Sequence, residues 1–217
     1  MIKNSVLYKL IGKSEATSFL FGTMHVRDKI AFTHLDKALN AMSYCTDFYA
    51  EMNLEQATEL IQPTDYLMPS GMRLDTLIRP HQYLRMKKIL MKSFDFDPDQ
   101  MAQYYPMLTI NHLTEMILSE DHALPLDQYL WTHAKASSLE MHGIETVGEQ
   151  MDTLHKLDIS VQVKMLKDLC RNVSAFRSNI YQLVDKYLHG DIQSIYKISK
   201  KGLSTLKEPL LYSRNHR

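Results

Sequence analysis

Apolar and polar positions divide the chain into short extended runs and longer helical stretches. Two strands, within 5–12 and 17–22, flank a polar tetrapeptide that is typical of a tight turn. Apolar residues at three- and four-residue steps predict an amphipathic helix that begins near Thr33. Further short strands are predicted over 45–53 and 139–145, on either side of a long helical stretch.

The stretch between those two later strands, about residues 54–138, has a helical pattern throughout. Pro125 suits the start of one of its helices, since proline has no N–H to leave unsatisfied there. The strongest periodic signal comes afterwards, between Val161 and Tyr187, where apolar residues recur at three- and four-residue steps. It predicts one helix of roughly 25–30 residues, with Gly190 as its stop.

The order of strands and helices indicates an α/β fold. We expect a small, mostly parallel central sheet with flanking helices and a large helical insertion over about residues 54–138. A chain of 217 residues is long enough for one sizeable domain and short for two. No internal repeat or linker-like stretch divides it. We therefore predict a single domain over residues 1–217, with the helical insertion inside it.

Composition excludes several classes of protein. A hydrophobic content of 45% is that of a globular protein and not of a disordered one. Lysine plus arginine equals aspartate plus glutamate, at 25 each, so charge gives no reason to expect nucleic acid as a partner. The sequence contains no run of 18 apolar residues, so no membrane-spanning helix is predicted. The first residues lack the apolar stretch of a signal peptide. A cytoplasmic location is the expectation.

Three ionisable residues follow or end predicted strands. His25 comes after the run FLFG, Glu51 ends DFYAE, and Glu145 ends EMHGIE. If these runs are strands of one largely parallel sheet, their carboxyl ends share the edge at which open α/β sheets bind ligands. Gly22, three residues before the histidine, would let the backbone turn without a Cβ clash. His142 lies close enough to that edge to be a further candidate.

One imidazole and two carboxylates at a sheet edge have two chemical uses. They could hold a divalent metal, or they could act as acid and base around one water molecule. The alternative without a function is that the glutamates cap helices and pair with lysines. Other kinds of site lack their signatures, because the chain contains no HExxH helix, no GxSxG elbow and no glycine-rich phosphate loop.

Four segments carry a resemblance to a known family. They are 21-FGTMHV-26, Tyr49-Ala50-Glu51, the stretch 126–150 with LD, GIET and EQ, and Arg214-Asn215. In this order they resemble the first GxxH motif, the acidic strand end, the LD…A…GLET…EQ block and the late Arg-Asn pair of the TraB/GumN/PrgY family. That family is related to the TIKI metalloproteases and more distantly to erythromycin-esterase and ChaN-like proteins. The resemblance covers nearly the whole chain.

The resemblance implies a metal-dependent hydrolase with a divalent ion, Mn²⁺, Zn²⁺ or Co²⁺. By that comparison His25 would be a metal ligand or catalytic histidine, and Glu51 and Glu145 would be ligands or the general base. Arg214 would bind a developing oxyanion or a substrate carboxylate. The family's second GxxH motif has no counterpart, since Gly22 alone among the seven glycines has a histidine three residues later. The resemblance therefore implies a domain truncated at its C-terminus, or one that works without that motif.

Three functions follow from these observations. The first is a hydrolase that acts on a peptide or small-molecule substrate. The second is a non-catalytic regulatory protein of the pheromone-shutdown type, which would bind a peptide or haem in the methionine-rich helical stretch; the chain has fourteen methionines. The third is an inactive fragment whose exposed sheet edge pairs with another copy as a homo-oligomer.

Overall fold

The computed structural model describes residues 4–12 and 16–202, and in that part of the chain it contains four strands and ten α-helices. The strands are β1 (Leu7–Ile11), β2 (Thr17–Phe21), β3 (Asp47–Met52) and β4 (Glu140–Glu145). The helices are α1 (Leu35–Met42), α2 (Leu54–Leu60), α3 (Leu74–Leu77), α4 (Pro80–Phe94), α5 (Pro106–Glu115), α6 (Leu126–Ala136), α7 (Val147–Lys156), α8 (Ile159–Arg171), α9 (Val173–Leu188) and α10 (Ile192–Gly202). The predicted α/β class, with small sheets and flanking helices, is confirmed.

The first two strands form the hairpin that the sequence predicts. Strand β1 pairs antiparallel with β2, and Leu7 lies opposite Phe21. The Gly12 N–H donates to the Ala16 carbonyl at 2.8 Å, which closes the hairpin on the side of the turn. Residues 13–15 of the predicted turn lie outside the described residues.

The other two strands form a separate parallel pair. Asp47 lies opposite Glu140 at one end, and Met52 lies opposite Glu145 at the other. Parallel neighbours need a long crossover between them, and helices α2 to α6 fill that connection. Among the described strands, β2 therefore does not share a sheet with β3 and β4, and the assumption that all three ionisable residues follow strands of one sheet is wrong.

The long helix predicted across Val161–Tyr187 is two helices. Helix α8 ends at Arg171 and α9 begins at Val173, with Asn172 between them at φ −145° and ψ 72°. The Asn172 side-chain oxygen accepts a hydrogen bond from the Ala175 N–H at 3.0 Å, which caps the new helix. The apolar period continues across the break, so periodicity alone predicts a single helix.

The described residues belong to two compact units, each built from three separate segments. The first comprises the described parts of Met1–Thr58, Leu118–Val147 and Tyr181–Lys200, and the second those of Glu59–Ile117, Gly148–Ile180 and Lys201–Arg217. The helical character predicted for about 54–138 is confirmed by α2 to α6. The second unit also takes in most of α7, all of α8 and the start of α9, so the helical part is not confined to the insertion.

Each unit has its own hydrophobic core. In the first, Phe32 and Met42 pack with Leu126, Leu130 and Ala134 of α6, and Phe48 and Met141 of the parallel pair lie against them. In the second, Leu90, Leu113 and Leu166 are fully buried at 0% exposure. Burial of each such leucine contributes about 1.5–3 kcal/mol to the free energy of unfolding.

None of the helices in the described part of the chain combines the length and the apolar character needed to cross a bilayer.

Candidate functional site

The loop after β2 carries His25. Its start is fixed by the hairpin, because the Gly22 N–H donates to the Val6 carbonyl at 2.8 Å and the Tyr187 hydroxyl donates to the Gly22 carbonyl at 3.1 Å. The predicted steric need for glycine at this position is wrong. A Cβ at Gly22 would meet only the Val6 carbonyl oxygen, at an ordinary 3.8 Å, and its φ is not left-handed.

The same loop is tied to the segment that leads into α6. The Leu126 N–H donates to the Val26 carbonyl at 3.3 Å, and the His122 N–H donates to the Arg27 carbonyl at 3.0 Å. These backbone bonds hold the residue after His25 next to the first residue of α6. The arrangement fixes where the second residue of α6, Asp127, lies relative to the histidine.

Asp28 strengthens this connection from a buried position. Asp28 is 7% exposed; its Oδ1 accepts from the Ile30 N–H at 2.8 Å, and its Oδ2 accepts from the Ser119 N–H at 3.1 Å. The Ser119 hydroxyl lies between two carboxylates, 2.9 Å from Asp28 Oδ2 and 2.5 Å from Asp121 Oδ2. One carboxylate therefore joins the His25 loop to residues before α6. A buried carboxyl group that accepts from backbone N–H groups contributes more to stability than an exposed one.

His25 lies between two carboxylates, one at each ring nitrogen. Nδ1 is 3.0 Å from Asp127 Oδ2, and Nε2 is 3.8 Å from Glu51 Oε1. The hydrogen bond with Asp127, and secondarily the interaction with Glu51, raises the pKa of His25 from 6.5 to about 10, although partial burial opposes the rise. We call His25, Glu51 and Asp127 the His25 cluster. The structure thus brings two of the predicted site residues, His25 and Glu51, together.

Asp127 is the member of this cluster that the sequence analysis did not single out. It lies in the first turn of α6, where a carboxylate is ordinarily explained by the helix dipole. Its Oδ1 atom is buried and has no hydrogen-bond partner among the described residues. The Leu126-Asp127 pair of the family-like block is the signal that could have identified it.

The predicted residue Glu145 ends β4, at the same end of the parallel pair as Glu51. Side chains alternate between the two faces of a strand, and Met52 is the partner of Glu145. Alternation therefore gives Glu51 to one face and Glu145 to the face on which Phe48 and Met141 meet the core. Binding of both glutamates to one ion stays a prediction.

The remaining sequence candidates lie elsewhere. Arg214 lies outside the described residues, so its predicted contact with an oxyanion or a carboxylate stays a prediction. His142 does not face the carboxyl end of β4, because its Nε2 atom is 3.0 Å from Asp47 Oδ1 at the opposite end of the pair.

Comparisons with known proteins agree with the resemblance read from the motifs. The profile of the TraB/PrgY/gumN family matches residues 6–217. The chain is 26% identical to metalloprotease TIKI1 of Danio rerio over 227 aligned positions, which cover 88% of this chain and 45% of that protein. The chain thus spans less than half the length of this relative. No solved structure matches it. Because the family match extends over nearly the whole chain, the protein belongs to the TraB/PrgY/gumN family.

Proposed function

We propose that this protein is a metal-dependent hydrolase that acts on peptides, with the His25 cluster at its active site. The observation that carries the proposal is the placement of one imidazole between two carboxylates, with its two nitrogens directed at different partners. The similarity to a protein named a metalloprotease supports the peptide substrate.

The donor set of the cluster fits a first-row divalent ion. An imidazole with carboxylates suits Zn²⁺, Mn²⁺ or Co²⁺ better than the all-oxygen sites of Ca²⁺. Ligating histidines commonly give one ring nitrogen to the metal and hold the other against a carboxylate, and Asp127 is in that second position. The buried Asp127 Oδ1, which has no donor among the described residues, gives the cluster further acceptor capacity.

Each residue of the proposed site would have a separate role. His25 would bind the ion through Nε2, while Asp127 fixes the orientation of the ring. Glu51, whose side chain is 67% exposed, would be a ligand or would take the proton of the attacking water. Glu145 would be a further ligand or the general base. Arg214 would bind the developing oxyanion. A bound divalent ion supplies a nucleophile by lowering the pKa of its water, and it polarises the scissile carbonyl.

The test is hydrolysis of a mixture of quenched fluorescent peptides by chelator-treated protein, before and after addition of Mn²⁺, Zn²⁺ or Co²⁺. We expect one of these ions to restore hydrolysis in the wild type. Replacement of the proposed base, Glu51→Gln, should lower the rate by about 10²-fold or more, as loss of a general base does. His25→Ala should abolish the response to the ion.

The matched control is His81→Ala, because His81 is an exposed histidine on α4 of the second unit. It should leave the metal response unchanged. Peptide hydrolysis that persists in chelator would refute the requirement for a metal ion. Metal-restored hydrolysis that survives His25→Ala would show that the His25 cluster is not the active site. The absence of hydrolysis with every ion would refute the enzymatic proposal.

A further inference from the structure

A second group of potential ligands lies at the other end of the parallel strand pair. Asp47 and Glu140 begin β3 and β4 and lie opposite each other, and His142 follows two residues later on the same face of β4. One ligand atom from each of the three residues lies within 4.8 Å of the other two. We call these three residues the His142 cluster.

The imidazole of this cluster is held in a defined orientation. Tyr49 is the register partner of His142, and the two rings stack with centroids 4.5 Å apart and planes 20° from parallel. Nε2 is 3.0 Å from Asp47 Oδ1 and 3.9 Å from Glu140 Oε2. A single ring nitrogen is thus presented to two carboxylates on adjacent strands.

A neighbouring hydroxyl group holds the Asp47 carboxylate in place. The Thr46 hydroxyl donates to Asp47 Oδ2 at 2.6 Å, which leaves Oδ1 for His142. That hydrogen bond, and secondarily the one from His142, lowers the pKa of Asp47. Among the described residues, no lysine or arginine forms an ion pair with Asp47 or Glu140. The two acidic groups in register therefore depend on His142 or on a cation from solution to offset their repulsion.

The distances suit a transition-metal ion. Zinc bonds of about 2.0–2.2 Å at tetrahedral angles place neighbouring ligand atoms about 3.3–3.6 Å apart. The two measured separations from His142 Nε2, 3.0 and 3.9 Å, lie on either side of that value. The side chains are 36%, 40% and 80% exposed for His142, Asp47 and Glu140, which leaves room for water in the remaining coordination positions.

We infer that the His142 cluster is a second binding site for a divalent transition-metal ion such as Zn²⁺, separate from the His25 cluster. An ion bound there would join the first residues of β3 and β4. The two sites lie toward opposite ends of six-residue strands, which are roughly 16 Å long from the first to the last Cα atom. The inference does not depend on the proposed function, since it involves none of the residues of the His25 cluster. The role of the ion in the His142 cluster would be structural, because a ligand that binds only the folded state stabilises that state.

The experiment is a calorimetric titration of metal-free protein with Zn²⁺ alone. His142→Ala should weaken Zn²⁺ binding at one site by at least about tenfold. Removal of a group that only supports a metal ligand already weakens binding about tenfold, and loss of the ligand itself should weaken it at least as much. His25→Ala should retain that site, and the exposed His81→Ala control should bind as the wild type does.

A second measurement covers the case in which His142→Ala fails to fold. Glu140 is 80% exposed, so Glu140→Gln should fold normally. In a His25→Ala background, Zn²⁺ should raise the melting temperature, and Glu140→Gln should reduce this rise. Equal Zn²⁺ affinity in the wild type and His142→Ala, loss of all binding in His25→Ala, or a melting temperature that Zn²⁺ raises equally with and without Glu140 would overturn the inference.

Discussion

The coupling between His25 and Asp127 can be tested without any metal or substrate. The perturbation is the pair of single variants His25→Gln and Asp127→Asn with their double variant, which together form a double-mutant cycle. The 3.0 Å separation of Nδ1 and Oδ2 predicts that the coupling is favourable while the imidazole is charged. Chelator in every sample keeps metal binding out of the measurement.

The size of the coupling follows from the raised pKa of His25 and its exposure. A rise of the His25 pKa from 6.5 to about 10, at about 1.36 kcal/mol for each pH unit, would correspond to ~4.8 kcal/mol for Asp127 and Glu51 together if none of it were screened. The His25 side chain is 55% exposed, however, so water and salt screen most of this energy. We expect a coupling of about 1 kcal/mol, at the upper end of the range for exposed ion pairs.

The pH dependence has a definite sign. Below pH 6.5 the imidazole is protonated in the folded and the unfolded chain, so the stabilisation is fully present. Between pH 6.5 and about 10 the unfolded chain loses the proton that the folded protein keeps, so the free energy of unfolding falls as pH rises. Above about pH 10 the contribution of this ion pair is lost.

The assay is urea denaturation of the four proteins at pH 6 and at pH 10, with the coupling taken from the cycle so that other titrating groups cancel. The coupling should be largest at pH 6 and should weaken with added salt. A coupling that is the same at both pH values, or one below about 0.3 kcal/mol at pH 6, would show that Asp127 does not hold a charged His25.

Two further predictions concern the positions that support the site. Asp28→Ala should lower the free energy of unfolding by about 2–3 kcal/mol, because it leaves the Ile30 and Ser119 N–H groups without their buried acceptor. Asp28→Asn keeps an acceptor oxygen and should lower it less; equal losses in urea denaturation would contradict this reasoning. Gly143→Ala should lower it by about 1–3 kcal/mol, since the new Cβ would lie 2.5 Å from the Asn53 nitrogen, and an unchanged melting temperature would contradict that clash. Gly22→Ala, where the Cβ would meet only one atom at 3.8 Å, is the matched control.

The sequence predicts the elements of this fold better than their pairing. The helices of the stretch 54–138 and the hairpin follow from local periodicity and turn chemistry, which are properties of neighbouring residues. The pairing of β3 with β4, and the separation of both from β2, depends on contacts between residues far apart in the chain. The break at Asn172 escaped prediction because an asparagine can be an N-cap or an ordinary helical residue, and the apolar pattern is the same in both cases.

Two of the three residues expected to converge, His25 and Glu51, lie 3.8 Å apart, although the reason given for their proximity is wrong. It assumed parallel strands in one sheet, whereas the His25 loop is placed by its backbone bonds to the segment before α6. Asp127 was missed for a related reason. Its contact with His25 depends on that same long-range connection, and the residue itself has the ordinary appearance of a carboxylate in a first helical turn.

The strand register decides how the chemistry of the parallel pair is divided. Residues 47, 49 and 51 of β3 share one face, and residues 140, 142 and 144 of β4 continue it. Glu51 at one end of this face contacts His25, while Asp47 at the other end contacts His142. A one-residue shift of β4 would turn His142 to the core face and Glu145 to the face of Glu51. Any metal site that includes both Glu51 and Glu145 must therefore join the two faces of the strand pair at its carboxyl end.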